Sequence, residues 1–351
     1  MPKVDRITEL LETRIRRGDY ALSEFPSEVR LAEEIGASRT TIRVATERLI
    51  GCGLLRRESS GRLSVPRGRA LRAPHVGFLM PSITSGAAVW GEAAERMVRA
   101  LGGSVRAVTF FHWDDPALQE AADGFDGIFL VPPAESIPAE VAAKLAAARA
   151  RVVVLGDYSA CGLRSVDLLP TESISALLDH LGALGHRRIA AFNTQPVVDV
   201  IERRIALWKA WLAERGSAAE LVNEPEPSYG YPLERAYKET ARRLSGGEGF
   251  SEATAVLCLT MPAAQGLMRA LFERGLTIGR DLSVCCAFDE GSARFTTPTL
   301  TSVRMASPDA LLRECVDWMA GGEWDGPLLT RLPTAEVFAG ESTGPAPPCA
   351  A

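Results

Sequence analysis

Apolar residues recur at helical spacing in three segments of the first 50 residues. The first segment predicts a helix from about Val4 to Arg17 that ends at Gly18. Ser27 can cap a second helix that ends at Gly36, and Ser38 can cap a third. The inward stripe of the third helix consists of Ile42, Ala45, Leu49 and Ile50. These helices predict a small domain with a core of its own.

Two short apolar runs follow the third helix and flank a turn. Residues 54–57 and 62–65 predict two strands, and the turn between them contains Gly61. A hairpin in this position is a wing, and it places Arg57 and Arg62 near its tip. Residues 1–67 therefore predict a winged helix-turn-helix.

The start of the third helix carries polar residues that suit a DNA-binding surface. Arg39, Thr40, Thr41 and Arg43 are predicted to point outward there. A recognition helix presents its N-terminal turn to the major groove, where arginine pairs with guanine edges or phosphates and threonine touches phosphates or thymine methyl groups. The positive end of the helix adds to the attraction for phosphate. The alternative is that Arg39 and Arg43 are only solvated charges on an ordinary three-helix domain.

Residues 3–67 resemble the winged-helix domain of the GntR family of bacterial transcription factors. The resemblance is carried, in order and spacing, by Pro26-Ser27-Glu28, Ser38-Arg39-Thr40-Thr41, Arg43, Gly53-Leu54 and the wing. It implies that Arg39 and Arg43 contact DNA.

The chain departs from the GntR pattern in two places. Val29 stands where the family usually carries arginine, with Arg30 one place later, and the wing lacks the usual second glycine. Because of these departures, the family pattern does not predict the operator sequence. The predicted DNA contacts are Arg30, Ser38, Arg39, Thr40, Thr41, Arg43, Arg57, Gly61 and Arg62.

From residue 75 onward, apolar strands alternate with amphipathic helices. The first set has strands at 76–80, 105–110, 127–131 and 152–155 and helices at 92–101 and 141–148; the second has strands at 188–192, 255–259 and 282–288 and helices at 171–184, 203–215 and 263–274. This alternation predicts a parallel sheet with helices on both faces, and the two sets imply two lobes. The predicted fold class is α/β, with a winged helix-turn-helix before a two-lobed parallel α/β body.

Residues 75–343 resemble the effector domain of the LacI family, itself similar to periplasmic sugar-binding proteins. The matching pieces are Val76–Pro81, Phe125–Ile128, His180–Ala190, Glu202–Gly216, Ser283–Glu290, Leu300–Arg304 and Glu341–Thr343. The resemblance implies two lobes joined by crossing strands, a ligand cleft between them and dimerisation through the body.

The same resemblance implies a cleft for a small molecule, a sugar or a related compound. Arg204 fits the place of a ligand-pairing arginine and Asp289 that of a second polar contact, while Trp90 and Met261 would suit a less polar ligand. The alternative is that all four are structural. Thr260-Met261 and Leu169-Pro170 replace polar family pairs. Because each unpaired buried hydroxyl costs about 1–3 kcal/mol, an ordinary hexose or pentose is disfavoured.

Composition agrees with a basic head on an acidic body. Residues 1–72 carry 15 Lys plus Arg against 10 Asp plus Glu, a local net charge of +5, whereas the whole chain of 351 residues carries −5. A basic head attracts the phosphates of DNA, while an acidic body is repelled by them.

The seven cysteines are scattered without metal-ligand spacing, so we expect reduced core thiols, no metal and no cofactor. The lack of a membrane-length apolar run or a secretory signal predicts a cytoplasmic location.

The expected organisation is a head at 1–67, a linker at 68–74, a body at 75–343 and a disordered tail at 344–351. We predict a DNA-binding transcriptional regulator, a repressor, that binds a palindromic operator as a homodimer and responds to a small molecule. The competing hypothesis is a DNA-bound structural dimer whose cleft senses no ligand. An enzyme is not expected, because the sequence assembles no nucleophile or acid–base pair.

Overall fold

The computed structural model describes most of the chain. It covers residues 3–16, 19–20, 24–52, 54–58, 60–65, 73–82, 87–168, 170–227, 230–250, 252–289, 291–304, 306–332 and 336–347. Most of the predicted linker, as well as Leu169 and the last four residues, lies outside these ranges.

The head has three helices and a two-stranded wing. Its elements are α1 (Lys3–Arg16), α2 (Glu28–Ile35), α3 (Arg39–Gly51), β1 (Arg56–Arg57) and β2 (Leu63–Ser64), and the two strands pair antiparallel. Leu11, Leu31, Ile42 and Leu49 are almost fully buried at its centre. The head therefore has the separate core that the apolar spacing predicts.

Local capping explains where α2 and α3 begin. The Ser27 hydroxyl accepts a hydrogen bond from the Arg30 amide at 3.3 Å, and the Ser38 hydroxyl accepts one from the Thr41 amide at 3.1 Å. Such bonds satisfy amides that have no partner within the helix. Gly36 ends α2 with φ of 66°, a left-handed conformation that suits glycine. These three predictions are confirmed.

The first lobe of the body is a six-stranded parallel sheet with helices on both faces. Its elements are β3 (His75–Pro81), α4 (Ala87–Ala100), β4 (Ser104–Phe110), α5 (Pro116–Gly124), β5 (Gly127–Leu130), α6 (Ala139–Ala146), β6 (Arg151–Leu155), β7 (Ser165–Asp167), α11 (Asp309–Met319) and β13 (Leu329–Arg331). The strand order is β13-β7-β6-β5-β3-β4. We call this unit lobe 1.

The second lobe is a six-stranded sheet in which only β14 runs antiparallel to its neighbour. Its elements are α7 (Ser173–Ala183), β8 (Ile189–Asn193), α8 (Asp199–Glu214), β9 (Leu221–Asn223), α9 (Pro232–Ser245), β10 (Ala255–Cys258), α10 (Met261–Glu273), β11 (Ser283–Cys286), β12 (Thr301–Arg304) and β14 (Glu336–Phe338). The order is β14-β12-β11-β10-β8-β9. We call this unit lobe 2.

The chain crosses between the lobes three times. It passes from β7 to α7, from β12 to α11 and from β13 to β14. The predicted α/β class with two lobes is therefore confirmed. Several elements escaped the sequence analysis, among them α5, α9 and α11.

The predicted tail at 344–351 is wrong at its beginning. The Gly344 carbonyl oxygen lies 3.0 Å from His186 Nε2, and the Ala346 amide donates to the Leu184 carbonyl at 2.8 Å. The buried ring of His186 thus holds this segment against lobe 2.

The prediction that the cysteines are core residues is wrong for two of them, because Cys52 and Cys161 are exposed.

We predict that Gly266→Ala destabilises lobe 2. A Cβ at Gly266 would lie 2.5 Å from the Leu233 carbonyl oxygen and 2.7 Å from the Ala236 Cβ, where α10 packs on α9. Because the obstacle is largely backbone, we expect a cost of about 1–3 kcal/mol in the free energy of unfolding. Thermal unfolding followed by circular dichroism measures the effect.

The matched control is Gly91→Ala in α4. A Cβ there would lie 3.4 Å from the Phe78 ring, in ordinary contact, so we expect no loss of stability. Equal melting temperatures for the Gly266 variant and the parent protein would contradict the close helix packing.

Candidate nucleic-acid interface and interlobe cleft

The outward face of α3 is exposed and carries two arginines. Arg39, Thr40 and Arg43 are exposed, while Ile42 and Ala45 face the core. Arg39 and Arg43 form no ion pair with any residue that the structure describes. Their guanidinium groups are therefore available to an external anion or base edge.

The other predicted residues near α3 differ in how they are held. The Ser38 and Thr41 hydroxyls lie 2.7 Å apart and pair with each other, so both stabilise the start of the helix. Arg30 is exposed on α2 and, within the described parts of the chain, has no carboxylate partner. A contact of these three residues with DNA stays a prediction.

The wing arginines are held by carboxylates of the head itself. Arg57 Nη2 lies 2.9 Å from Glu28 Oε1 and 2.8 Å from Glu47 Oε1, and Arg62 pairs with Glu24. Gly61 lies exposed in the turn with φ of 81°. Arg57 therefore joins the wing to α2 and α3, and it would have to exchange partners to reach a phosphate.

Trp90 and Met261, the two less polar candidates for the cleft, are both buried. The Trp90 ring centroid lies 6.4 Å from that of Phe288, so this contact joins α4 of lobe 1 to the segment after β11 of lobe 2. Met261 begins α10 and packs into the core of lobe 2. These positions agree with packing, and a ligand role for either residue stays a prediction.

The two polar candidates are engaged with backbone. Asp289 Oδ1 accepts hydrogen bonds from the amides of Gly291 at 2.7 Å and Ala293 at 3.1 Å. Arg204 is buried and its Nη1 donates to the Leu259 carbonyl oxygen. Both side chains thus stabilise the ends of strands in lobe 2, which agrees with the structural alternative.

Of the four candidates, Arg204 alone lines a small cavity where the crossing from β7 to α7 meets lobe 2. The wall consists of Leu168, Pro170, Thr171, Ser173, Ile174, Arg204, Ala287 and Val303. The cavity volume of about 10 Å³ is close to the minimum for one water molecule. A sugar would therefore fit at Arg204 only after residues of this wall move.

An ion-pair cluster that the sequence analysis missed joins the lobes. Asp157 follows β6 of lobe 1, and its Oδ2 lies 3.0 Å from Arg203 Nη1 of α8 and 3.1 Å from Arg331 Nη2 of β13. Asp157 Oδ1 accepts from the Ser159 hydroxyl at 2.9 Å. We call Asp157, Arg203 and Arg331 the interlobe cluster. No local signal in the sequence pointed from Arg203 to Asp157.

The electrostatics of the interlobe cluster favour an ionised carboxylate. Burial acts to raise the pKa of Asp157, but hydrogen bonds from Ser159, Arg203 and Arg331 outweigh it and hold the pKa below its ordinary value. A lowered pKa means that the contribution of the cluster to stability is present at neutral pH and is lost only as the pH falls through that lowered value.

Family models match both parts of the chain. Residues 3–65 match the bacterial regulatory proteins of the gntR family, and residues 178–343 match a periplasmic binding protein-like domain. The chain therefore combines a GntR-type winged-helix head with a periplasmic-binding-protein-like body.

Two curated relatives are transcriptional regulators of the HTH type. MalR of Streptomyces coelicolor is 31% identical over 138 residues, which cover 39% of each chain. AglR of Rhizobium meliloti is 32% identical over 199 residues, which cover 53% of each chain. The matched segment thus spans about two fifths to one half of these relatives. Both are named as regulators and not as enzymes.

Solved structures share the fold of the body. The lac repressor dimer bound to operator and an anti-inducer superposes with a TM-score of 0.61 at 20% identity, covering 78% of this chain and 94% of that one. The LacI family regulator CCPA of Weissella paramesenteroides with bound glucose gives 0.62 at 18% identity, covering 77% and 98%. The body therefore has the LacI-type effector fold.

The described residues lack two features, a membrane-spanning helix and a metal-binding cluster. None of the helices they form is long and apolar enough to cross a membrane. Nor do these residues contain a cluster of three or more His, Cys, Asp or Glu side chains that could hold a metal ion.

We predict that Arg203→Ala loosens the contact between the lobes. The substitution removes one of the two arginines that bind the Asp157 carboxylate, while Arg331 remains to neutralise it. Hydrogen exchange should become faster at the ends of the segments that face the cleft, after β6 and at the start of α8.

The control is Arg188→Ala, which removes an exposed ion pair with Glu252 inside lobe 2. It should leave exchange at the cleft unchanged, since a surface pair within one lobe does not restrain the other. Identical exchange in the Arg203 variant and the parent protein would show that the interlobe cluster does not hold the lobes together.

Proposed function

We propose that this protein is a DNA-binding transcriptional regulator. The observation that carries the proposal is the exposed start of α3 on a GntR-type head, where Arg39 and Arg43 form no ion pair with any of the described residues. Arginine at the N-terminal turn of a recognition helix can pair bidentately with guanine or bind phosphate. A cytoplasmic location, with access to the chromosome, is part of this proposal.

The operator is proposed to be palindromic and the protein a homodimer. Two copies related by a two-fold axis present two recognition helices to two half-sites of matching symmetry. The lac repressor, whose body shares this fold, is a dimer in its operator complex. Dimerisation through the body would place the heads at a fixed spacing, and repression would follow from occupation of the operator.

The activity is proposed to respond to a small molecule, a sugar or a related compound, in the interlobe cleft. The Trp90–Phe288 contact and the interlobe cluster both span the cleft, so both change when the lobes separate. A ligand that binds one arrangement more tightly shifts the population toward it. Glucose is bound in the Weissella regulator of the same fold.

A second candidate is a DNA-bound dimer whose cleft senses no ligand. The engagement of Asp289 with two backbone amides and the burial of Met261 in the core favour it. The two candidates share the DNA-binding head and differ only in whether a small molecule stabilises the body.

The test of the DNA-binding proposal is Arg39→Ala. We expect operator binding to weaken by about 1–3 kcal/mol with an unchanged melting temperature, because Arg39 is exposed. Arg39→Lys should recover charge but not bidentate pairing, and should therefore lose discrimination between operator and unrelated DNA.

The matched control for charge is Arg280→Ala, on the surface of lobe 2 beside Asp281. A fluorescence anisotropy titration with a duplex selected from a randomised library gives the affinities. Parent-like binding by both alanine variants would remove Arg39 from the interface.

The test of ligand response is a thermal-shift screen against sugars including glucose, sugar acids, polyols and nucleosides. A ligand at 100 times its Kd should add about 2.7 kcal/mol to the free energy of unfolding. Arg204→Lys should abolish the shift from any hit, because lysine lacks the planar fork, whereas Arg188→Lys should keep it. No shift across the panel would favour the second candidate.

A further inference from the structure

One apolar side chain lies on the outward face of the recognition helix. Val44 is 41% exposed, and it lies one turn after Thr40 and one turn before Glu47. The opposite face of α3, with Ile42 and Leu49, is buried in the head core. Val44 therefore lies near the middle of the surface that α3 turns away from its own domain.

Val44 contributes little to the fold of the head. It is not part of the buried cluster, and a β-branched residue in an exposed helix position is less favourable than Ala, Lys or Glu. Other exposed residues nearby are used within the head, since Arg48 pairs with Asp5 at 2.7 Å and Glu47 with Arg57 at 2.8 Å.

The ion pair between Glu47 and Arg57 also changes the electrostatics of this face. Glu47 is the carboxylate of α3, and it shares the wing arginine, Arg57, with Glu28. The cations without an internal partner beside Val44, among the described residues, are Arg39 and Arg43. Val44 and the methyl group of Thr40 are thus the apolar part of a polar face that also carries Arg39, Arg43 and Glu47.

We propose that Val44, together with the methyl group of Thr40, packs against the 5-methyl group of a thymine and so selects thymine at one position of each half-site. The thymine methyl is the apolar group that a base pair offers in the major groove, and valine has no group that could hydrogen-bond to another base edge. This inference rests on the proposed DNA-binding function and specifies one base that the protein would recognise in each half-site.

The experiment removes the methyl group from the DNA. Full-length protein selects duplexes from a randomised library, and each thymine of the recovered duplex is then replaced in turn by deoxyuridine, which keeps every hydrogen-bonding group. At one thymine per half-site we expect affinity to fall about threefold to tenfold. At the other positions we expect no change.

Val44→Ala completes the cycle. This variant should bind the thymine duplex more weakly than the parent protein does, and should lose less affinity than the parent with deoxyuridine at the sensitive position, because only the Thr40 methyl group and the shorter alanine remain to contact the thymine methyl. Val29→Ala, at the other exposed valine among the described residues of the head, 38% exposed on α2, should keep full sensitivity. Unchanged melting temperatures would show that both variants fold.

Each outcome decides something. Parent protein that binds all deoxyuridine duplexes equally well, or a Val44→Ala variant that keeps the same sensitivity, overturns the role of Val44 while leaving the DNA-binding function intact. Sensitivity that disappears in Val29→Ala assigns the contact to α2 and also overturns it. Failure to recover any duplex overturns the proposed function itself.

Discussion

Burial of the parallel sheets on both faces is the constraint on which the body depends. Strands such as β5, β10 and β11 are buried at every position, so helices must cover them on each side. Each lobe is consequently a packed unit, and the lobes are connected by three crossings and, among the described residues, by side-chain contacts. Trp90 with Phe288 and Asp157 with Arg203 are such contacts. Relative movement of the lobes therefore acts at the cleft rather than within either sheet.

Four arginines of the head fall into two groups, which differ in whether a carboxylate of the head pairs with them. Arg57 and Arg62 at the wing are paired with carboxylates, and Arg57 holds α2, α3 and the wing together. Arg39 and Arg43 have no internal carboxylate partner among the described residues. The sequence predicted DNA contacts for all four, because an arginine beside a turn looks the same in sequence whether its partner is a phosphate or a glutamate of the same domain.

Local chemistry could be predicted and long-range pairing could not. The caps at Ser27 and Ser38 depend on residues three positions apart, so the starts of α2 and α3 could be predicted from the sequence. Helix α9 was missed because its buried face carries charged residues. Arg243 pairs with Glu220 and packs beside Glu239, so the buried positions do not show the apolar spacing of a helix. The interlobe cluster joins residues 46 and 174 positions apart, beyond any local motif.

The position of the cluster suggests how sensing and DNA binding would be coupled under the proposed function. The chain enters the body at β3, so the head is joined to lobe 1, whereas Arg204 and Asp289 belong to lobe 2. A ligand held by lobe 2 can influence the head only by changing how lobe 2 contacts lobe 1. The cavity at Arg204 is too small for a sugar, so such a ligand would have to displace residues of its wall, and its binding energy would be reduced by what that displacement costs. Where the displacement also parts the lobes, weakening the interlobe cluster would strengthen ligand binding.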